Sequence, residues 1–219
     1  MLSAAELVQL SEDGSDLRSF TVRPGYELGS DVPDICIEDP YLSPQHACFV
    51  AHEDGGYAVR DLNSVNGVYL RIQTETPLGA SATILLGQRV FQYTRVTTQR
   101  RAVGPATDRG TYVFGSPVHP YYGSLVERTV EGSDRSVYWL YRDETVLGRE
   151  VGDIVFTDDP FMSRKHAVIR HDGAGGVKIE DLGSSNGSYV RISSETRMHE
   201  GDQIRLGSNV FRFRVGEGQ

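Results

Sequence analysis

The sequence predicts an all-β protein made of two similar β-sandwiches. Short strand-like segments alternate with turns rich in glycine, asparagine and aspartate. No segment of ten or more residues repeats its apolar side chains at the period of a helix. In addition, the pattern of residues 43–72 recurs in residues 163–192 at a constant offset of 120. Together these observations indicate a duplicated all-β domain.

The repeat defines the expected domains. His46 aligns with His166, and Asn66-Gly67 aligns with Asn186-Gly187. A period near 120 residues is that of a duplicated domain, since solenoid repeats are far shorter. We therefore predict one domain at 1–98, a linker at 99–121 that is rich in proline and glycine, and a second domain at 122–219. Residues 111–114 could form a short strand within the linker.

The second repeat shows the strands in order. The segments "SLVERTV", "SVYWLY" and "ETVLG" are strand-like, and "EGSDR" is a turn between the first two. Two further strands flank a glycine-rich turn in "HAVIRHDGAGGVKIEDL". Asn186-Gly187 predicts a tight turn before "SYVRI", because both residues tolerate positive φ. The segments "DQIRLG" and "NVFRFRV" complete about ten strands per repeat, which is typical of a sandwich.

Composition limits the possible functions. The 219 residues carry a net charge of −8, with 38% hydrophobic and 24% charged residues, as in soluble folded proteins. The acidic charge disfavours nucleic-acid binding, and no apolar run is long enough for a membrane helix. The first residues do not resemble a signal peptide. We expect a cytoplasmic protein with no membrane partner, in which Cys36 and Cys48 are small core residues without a disulfide.

The loops of the second repeat carry the chemistry. Arg149 ends one strand, residues 163–166 (Ser-Arg-Lys-His) precede another, and residues 183–187 (Gly-Ser-Ser-Asn-Gly) form a third loop. They supply cations, hydroxyls, an amide and backbone N–H groups, with no carboxylate among them. Arginine and hydroxyl donors together suit a bound dianion such as phosphate.

The stretch "LGRE…DIVFTDDPFMSRKHAVI…IEDLGSSNGSYV" resembles a forkhead-associated (FHA) domain. That family carries Gly-Arg, then Ser-x-x-His, then Ser/Thr-Asn-Gly, in this order on a β-sandwich. The resemblance covers about residues 125–215. It implies two tandem FHA-type β-sandwiches joined by a linker. It also implies that the partner is a phosphothreonine-containing protein segment, from a Ser/Thr kinase or its substrate.

The resemblance also implies a role for each site residue. Arg149 would hold the phosphate, Ser163 would donate its hydroxyl to it, and Arg164 would add a second charge. Ser185 would add a hydroxyl or backbone contact, and Asn186 would bind the peptide backbone beside the phosphothreonine.

Three further residues would support these groups without contacting the ligand. His166 would stabilise the loop that carries Ser163, while Gly148 and Gly187 would permit the backbone geometry. No metal or cofactor is expected.

The first repeat departs from this pattern. Ser30, Pro44 and Val65 stand where the second repeat has Arg149, Arg164 and Ser185. Hydrogen bonds to charged groups contribute roughly 1.5–3 kcal/mol each, so losing both cations predicts about 10²–10⁴-fold weaker binding. The first repeat is therefore expected to be a degenerate FHA domain, kept as a scaffold or pseudo-site. Whether Pro44 also changes the loop backbone is left open.

The sequence offers two alternatives, an enzyme and a phosphate-independent scaffold. Ser163 and His166 could suggest an enzyme, but the same Ser-x-x-His occurs in the repeat without cations, and no acid is placed to orient the histidine. The pair Asp158-Asp159 is expected to be solvated, with no metal-ligand spacing around it. A phosphate-independent scaffold stays open, and so does the oligomeric state.

Overall fold

The computed structural model describes residues 4–32, 34–96, 109–111 and 120–216. These residues form twenty β-strands and no helix, which confirms the all-β prediction. Except for Thr111, the possible strand at 111–114 lies outside the described residues, as does most of the predicted linker at 99–121.

Each repeat contributes ten strands. The first repeat forms β1 (Ala5–Leu10), β2 (Asp16–Val22), β3 (Glu27–Gly29), β4 (Ile35–Cys36), β5 (Ala47–Ala51), β6 (Tyr57–Asp61), β7 (Val68–Arg71), β8 (Thr76–Leu78), β9 (Ser81–Leu86) and β10 (Arg89–Arg95). The second repeat forms β11 (Gly123–Arg128), β12 (Asp134–Leu140), β13 (Glu144–Gly148), β14 (Ile154–Val155), β15 (Ala167–His171), β16 (Val177–Asp181), β17 (Ser188–Arg191), β18 (Thr196–Met198), β19 (Gln203–Leu206) and β20 (Asn209–Val215).

The strands assemble into two compact units that draw on both repeats. Unit one contains the chain up to Ile72 together with the chain from Tyr189 onward, and unit two is Gln73–Ser188. The units therefore differ from the sequential division into 1–98, 99–121 and 122–219. The last three strands of each repeat pack on the other repeat. Because these strands are similar in sequence, the repeat pattern alone does not tell which repeat they join.

Unit one is a sandwich of two sheets. One sheet has the order β2-β1-β20-β19-β7, and the other has the order β4-β3-β5-β6-β18. Its core combines Leu7 and Phe49 of the first repeat with Phe211 and Phe213 of the second, all of them fully buried. Burying a side chain of this size stabilises a fold by about 1.5–3 kcal/mol. The strands from the second repeat are thus part of the core of unit one.

Unit two has the corresponding layers. One sheet includes β12-β11-β10-β9, and the other has the order β14-β13-β15-β16-β8. Phe91 and Tyr93 of the first repeat are fully buried, as are Ile169 and Ile179 of the second. All of the predicted phosphothreonine-site residues, from Gly148 to Gly187, lie in this unit.

The cysteines are free, and only one matches the prediction. Cys48 is buried in β5, whereas Cys36 is exposed. The prediction for Cys36 was wrong because β4 has only two residues: Ile35 points into the core and its neighbour points outward. Among the described residues, the structure has no helix long and apolar enough to cross a membrane.

Candidate functional site

The loop after β13 and the loop before β15 are joined by backbone hydrogen bonds in unit two. The N–H of Arg149 donates to the Ser163 carbonyl at 2.9 Å, and the N–H of Glu150 donates to the Arg164 carbonyl at 3.2 Å. Gly148 permits this approach, because a Cβ on it would lie 2.3 Å from the Arg164 carbonyl oxygen. These contacts hold the loop of Arg149 beside the loop of Arg164.

The ring of His166 connects the loop that contains Ser163 with the loop that contains Gly187. It is fully buried. Its Nδ1 accepts from the Ser163 N–H at 3.0 Å, and its Nε2 lies 3.2 Å from the Gly187 carbonyl oxygen. These partners define the neutral tautomer with the proton on Nε2, which donates to the carbonyl. These contacts join the loop of Ser163 to that of Gly187, and the supporting role of His166 and Gly187 in a phosphothreonine site stays a prediction.

Ser163 links to the third loop. Its Oγ accepts the Ser185 N–H at 3.1 Å, which leaves the hydroxyl hydrogen available to donate elsewhere. The Asn186 Nδ2 donates to the Phe161 carbonyl at 2.8 Å. This bond fixes the amide and leaves its second N–H and its oxygen for another partner. Ser185 and Asn186 are both exposed.

A carboxylate lies between the two cations. The Arg149 Nη2 donates to Glu150 Oε1 at 3.1 Å, and the Arg164 Nε donates to Glu150 Oε2 at 2.9 Å. The hydrogen bond from Arg149 and, less strongly, the one from Arg164 lower the pKa of Glu150 below its ordinary value. The expectation of a site without a carboxylate was therefore incomplete. The letters "GRE" contained the signal, because the residue after Arg149 lies on the same loop.

Two aspartates that the sequence analysis did not place in the site support the loops. Asp181 accepts from the Ser184 N–H at 2.7 Å and from the Ser188 hydroxyl at 2.5 Å. Asp159 accepts from the Phe161 N–H at 2.9 Å and is only 3% exposed. Asp159 is thus not solvated as expected, because its carboxylate shapes the turn before Ser163.

The structure brings the predicted site residues together at one end of unit two. Arg149, Ser163 and Ser185 are linked by the contacts above, and Arg164 joins them through Glu150. Lys165 is exposed beside Arg164. The assignment of these residues to phosphothreonine binding stays a prediction.

Unit one has the same loop backbone without the cations. The Ser30 N–H donates to the Ser43 carbonyl at 3.1 Å, and the Ser43 Oγ accepts the Val65 N–H at 3.0 Å. His46 accepts the Ser43 N–H at 3.1 Å, as His166 does with Ser163. Pro44 has therefore not turned the Ser43 hydroxyl away. The bonds that hold Ser43 and Ser163 are the same in the two loop sets, whereas the side chains at the places of Arg149, Arg164 and Ser185 differ.

The same geometry argues against a Ser-His catalytic pair. The Nδ1 of His166 accepts from the backbone N–H of Ser163 and not from its hydroxyl, and Nε2 is used for Gly187. Neither ring nitrogen is free to take a proton from the Ser163 Oγ. In the part of the chain that the structure describes, no three His, Cys, Asp or Glu side chains form a candidate metal site.

The buried histidines predict a pH dependence of stability. Burial lowers the pKa of both His46 and His166 below the ordinary value of 6.5. The unfolded chain therefore binds more protons than the folded chain below about pH 6.5, and folded stability falls as the pH drops from there towards the lowered pKa values. Denaturant unfolding at pH 7.5 and pH 5.5 should show this loss. The less stable His166→Asn variant should show a smaller pH dependence, and an unchanged dependence would contradict the assignment.

Comparison with known sequences agrees with the repeat. The sequence model of the FHA domain matches residues 26–87 and 145–207, which together are more than half of the chain. The transcriptional regulatory protein EmbR of Mycobacterium tuberculosis is 38% identical over 204 residues, covering 86% of this chain and 50% of that protein. The chain thus spans about half the length of EmbR.

Other relatives and solved structures are also similar to this chain. The oxoglutarate dehydrogenase inhibitor of Corynebacterium diphtheriae is 35% identical over 134 residues, covering 59% of this chain and 87% of that protein. The structure of Mycobacterium tuberculosis EmbR in complex with a low-affinity phosphopeptide is 33% identical and covers 42% of this chain and 27% of that chain, with a TM-score of 0.24. With both repeats matched by the family model, the chain belongs to the FHA domain family.

Proposed function

We propose that this protein binds phosphothreonine-containing protein segments through the loops of unit two and acts as an adaptor in Ser/Thr kinase signalling. Arg149, Arg164 and the Ser163 hydroxyl hold the phosphate, with Ser185 beside them. Asn186 binds the backbone of the phosphorylated segment. The partner is a Ser/Thr kinase or its substrate, and the setting is the cytoplasm. Unit one serves as a scaffold or pseudo-site, and the protein is a binding module and not an enzyme.

The observation that carries this proposal is the carboxylate of Glu150 between the two arginines. Both arginines donate to this carboxylate, at 3.1 and 2.9 Å, so the loops already accommodate an oxyanion there. A phosphate has more charge and more acceptor oxygens than a carboxylate, and charge-assisted hydrogen bonds to it are correspondingly stronger. The neighbouring Ser163 hydroxyl retains a hydrogen to donate to such a group.

Titration of the full chain with a phosphothreonine peptide library tests the function. Each peptide that binds is compared with its unphosphorylated form and with a phosphoserine form. We expect binding only to phosphorylated peptides, and weaker binding as salt is raised, because the contact is largely electrostatic. Equal affinity for the unphosphorylated peptides would support the alternative of a phosphate-independent scaffold.

Glu150 is expected to weaken phosphate binding. A phosphate must displace its carboxylate from Arg149 and Arg164, so Glu150→Gln should strengthen phosphopeptide binding by roughly two- to fivefold, the range of an exposed ion pair. Isothermal titration measures this change.

The matched control is Glu144→Gln. Glu144 is also exposed and ion-paired, but to Arg170. The control removes the same charge from unit two and should leave the affinity unchanged. If both variants strengthen binding equally, net charge and not displacement is the cause.

A further inference from the structure

A hairpin of the first repeat completes the unit that carries the candidate site. In unit two, β10 pairs with β11 from Val90 opposite Arg128 to Arg95 opposite Gly123. In unit one, β20 of the second repeat pairs with β1 in the corresponding way. The hairpins β9–β10 and β19–β20 thus occupy equivalent places. Because the backbone pairing is equivalent, side-chain contacts must distinguish which hairpin joins which repeat.

Arg89, at the turn of hairpin β9–β10, is surrounded by acids of the second repeat. Its guanidinium is ion-paired with Glu127 and lies 2.6 Å from Asp158. The side chains of Arg89 and Glu127 are only 11% and 5% exposed. The guanidinium carbon also lies 4.7 Å from the centre of the Phe156 ring. The buried carboxylate of Glu127 therefore has a largely buried cation as its partner, and the exposed Arg135 of β12 lies 3.6 Å from it.

The equivalent position in unit one is uncharged. Asn209 occupies the place of Arg89, and Gln9 occupies the place of Glu127. The Gln9 Nε2 donates to the Asn209 Oδ1 at 2.6 Å, and the Asn209 Nδ2 donates to Asp39 at 2.7 Å. Gln9 is 7% exposed. An amide pair of the buried Gln9 and the partly buried Asn209 in unit one thus replaces the ion pair of Glu127 and Arg89 in unit two.

In a sequential pairing, each hairpin would join its own repeat. The residues at the places of Arg89 and Glu127 would then be mismatched in both units. Hairpin β19–β20 on the second repeat would place Asn209 against Glu127, which leaves this buried carboxylate only the exposed Arg135 of β12, at 3.6 Å, as a cation. Hairpin β9–β10 on the first repeat would place Arg89 against Gln9. Removing one partner from a buried ion pair is strongly destabilising, because the remaining charge stays out of water. The charges therefore favour the exchanged pairing seen in the structure, in which each hairpin joins the other repeat.

The packing of Tyr93 also favours the exchanged pairing. The ring of Tyr93 lies against Gly123, where a Cβ would come within 2.8 Å of the ring carbon Cε2. In unit one, Phe213 and Ala5 stand at these two places, and both are fully buried. Sequential pairing would set Tyr93 against the methyl group of Ala5. Hairpin β9–β10, which carries Tyr93, therefore fits the second repeat, which has Gly123 at this place.

The hairpin also contacts the turn that precedes the site. The Gln88 N–H donates to the Asp159 Oδ2 at 3.0 Å, while the Asp159 Oδ1 accepts the Phe161 N–H at 2.9 Å. The Phe161 carbonyl in turn accepts from Asn186. One carboxylate thus joins the hairpin of the first repeat to the loop that carries the site residues of the second.

From these matches we infer that the first repeat, although degenerate at its own loops, supplies the hairpin β9–β10 as a structural part of the site-bearing unit, and that Arg89 selects this pairing. The selection is independent of ligand binding. Only its importance for the phosphothreonine site rests on the proposed function, so the test below measures strand pairing and needs no peptide.

Cysteine cross-linking of the full chain distinguishes the two pairings. In a Cys36→Ser, Cys48→Ala background, Thr94→Cys is combined with Ser124→Cys, its partner across β10 and β11. The control combines Thr94→Cys with Glu6→Cys, because Glu6 holds the place equivalent to Ser124, opposite Arg214. Directly opposite strand residues have Cα separations that suit a disulfide. Oxidation of dilute protein followed by peptide mapping identifies the link.

We expect the 94–124 disulfide within one molecule and little of the 94–6 disulfide. The opposite result, or a link between two molecules, overturns the inference. Exchanging the key residues by Arg89→Asn with Asn209→Arg moves the cation to the other hairpin and should increase the 94–6 link at least severalfold. If that variant still forms only the 94–124 link, Arg89 does not select the pairing.

Discussion

Arg149→Ala should abolish phosphopeptide binding while changing the thermal midpoint of unfolding by no more than about 2 °C. The Arg149 side chain is 36% exposed and ion-paired with the exposed Glu150, so the fold depends little on it. A phosphate would lose one of the two arginine donors of the proposed site. Calorimetric titration with the best library peptide, together with a thermal melt, measures both effects.

Arg142→Ala is the matched control. Arg142 is also an exposed arginine of unit two, ion-paired with Asp153 at 2.5 Å, but it belongs to the turn before β13. It should bind phosphopeptide like the parent protein. An Arg149→Ala affinity loss below about threefold, or ~0.7 kcal/mol, would show that Arg149 is not the principal phosphate ligand.

The residues of the candidate site could be predicted from the sequence because they lie in three short motifs, each recognisable by itself. Gly148-Arg149, Ser163 to His166 and Ser185 to Gly187 each form a short turn whose geometry depends on the residues themselves. The contacts of His166 with Ser163 and Gly187 follow the family pattern. The motif did not indicate Glu150, because it names the donors and does not show where the next side chain points.

The membership of the hairpins could not be predicted from the repeat. Val90-Phe91 and Val210-Phe211 have the same pattern, and each suits the same place in a sandwich. What distinguishes the hairpins is a few long-range contacts, such as that of Arg89 with Glu127. These residues are far apart in the sequence, and neither is unusual by itself. The fold class therefore follows from local pattern, whereas the exchange of strands depends on side-chain matches between the repeats.

Restoring the missing side chains should give unit one a phosphothreonine site. We expect the triple variant Ser30→Arg, Pro44→Arg, Val65→Ser to bind phosphopeptides, in a full chain whose own site is silenced by Arg149→Ala. The two cations should recover up to about 10²–10⁴-fold in affinity. Titration with phosphorylated and unphosphorylated peptides measures the gain. The Arg149→Ala chain without the triple change is the control and should not bind.

The structure supports this prediction because the loops of unit one are already in place. The Ser43 Oγ accepts the Val65 N–H at 3.0 Å, and the Asn66 Nδ2 donates to the Tyr41 carbonyl at 2.8 Å, matching Ser163 and Asn186. Pro44 has not displaced Ser43, so replacing it should restore a charge without rebuilding a loop. Phosphate-dependent binding by the control would contradict the premise, because either unit one already binds or Arg149→Ala has not silenced unit two. A folded triple variant that does not bind would show that cations on this backbone are insufficient.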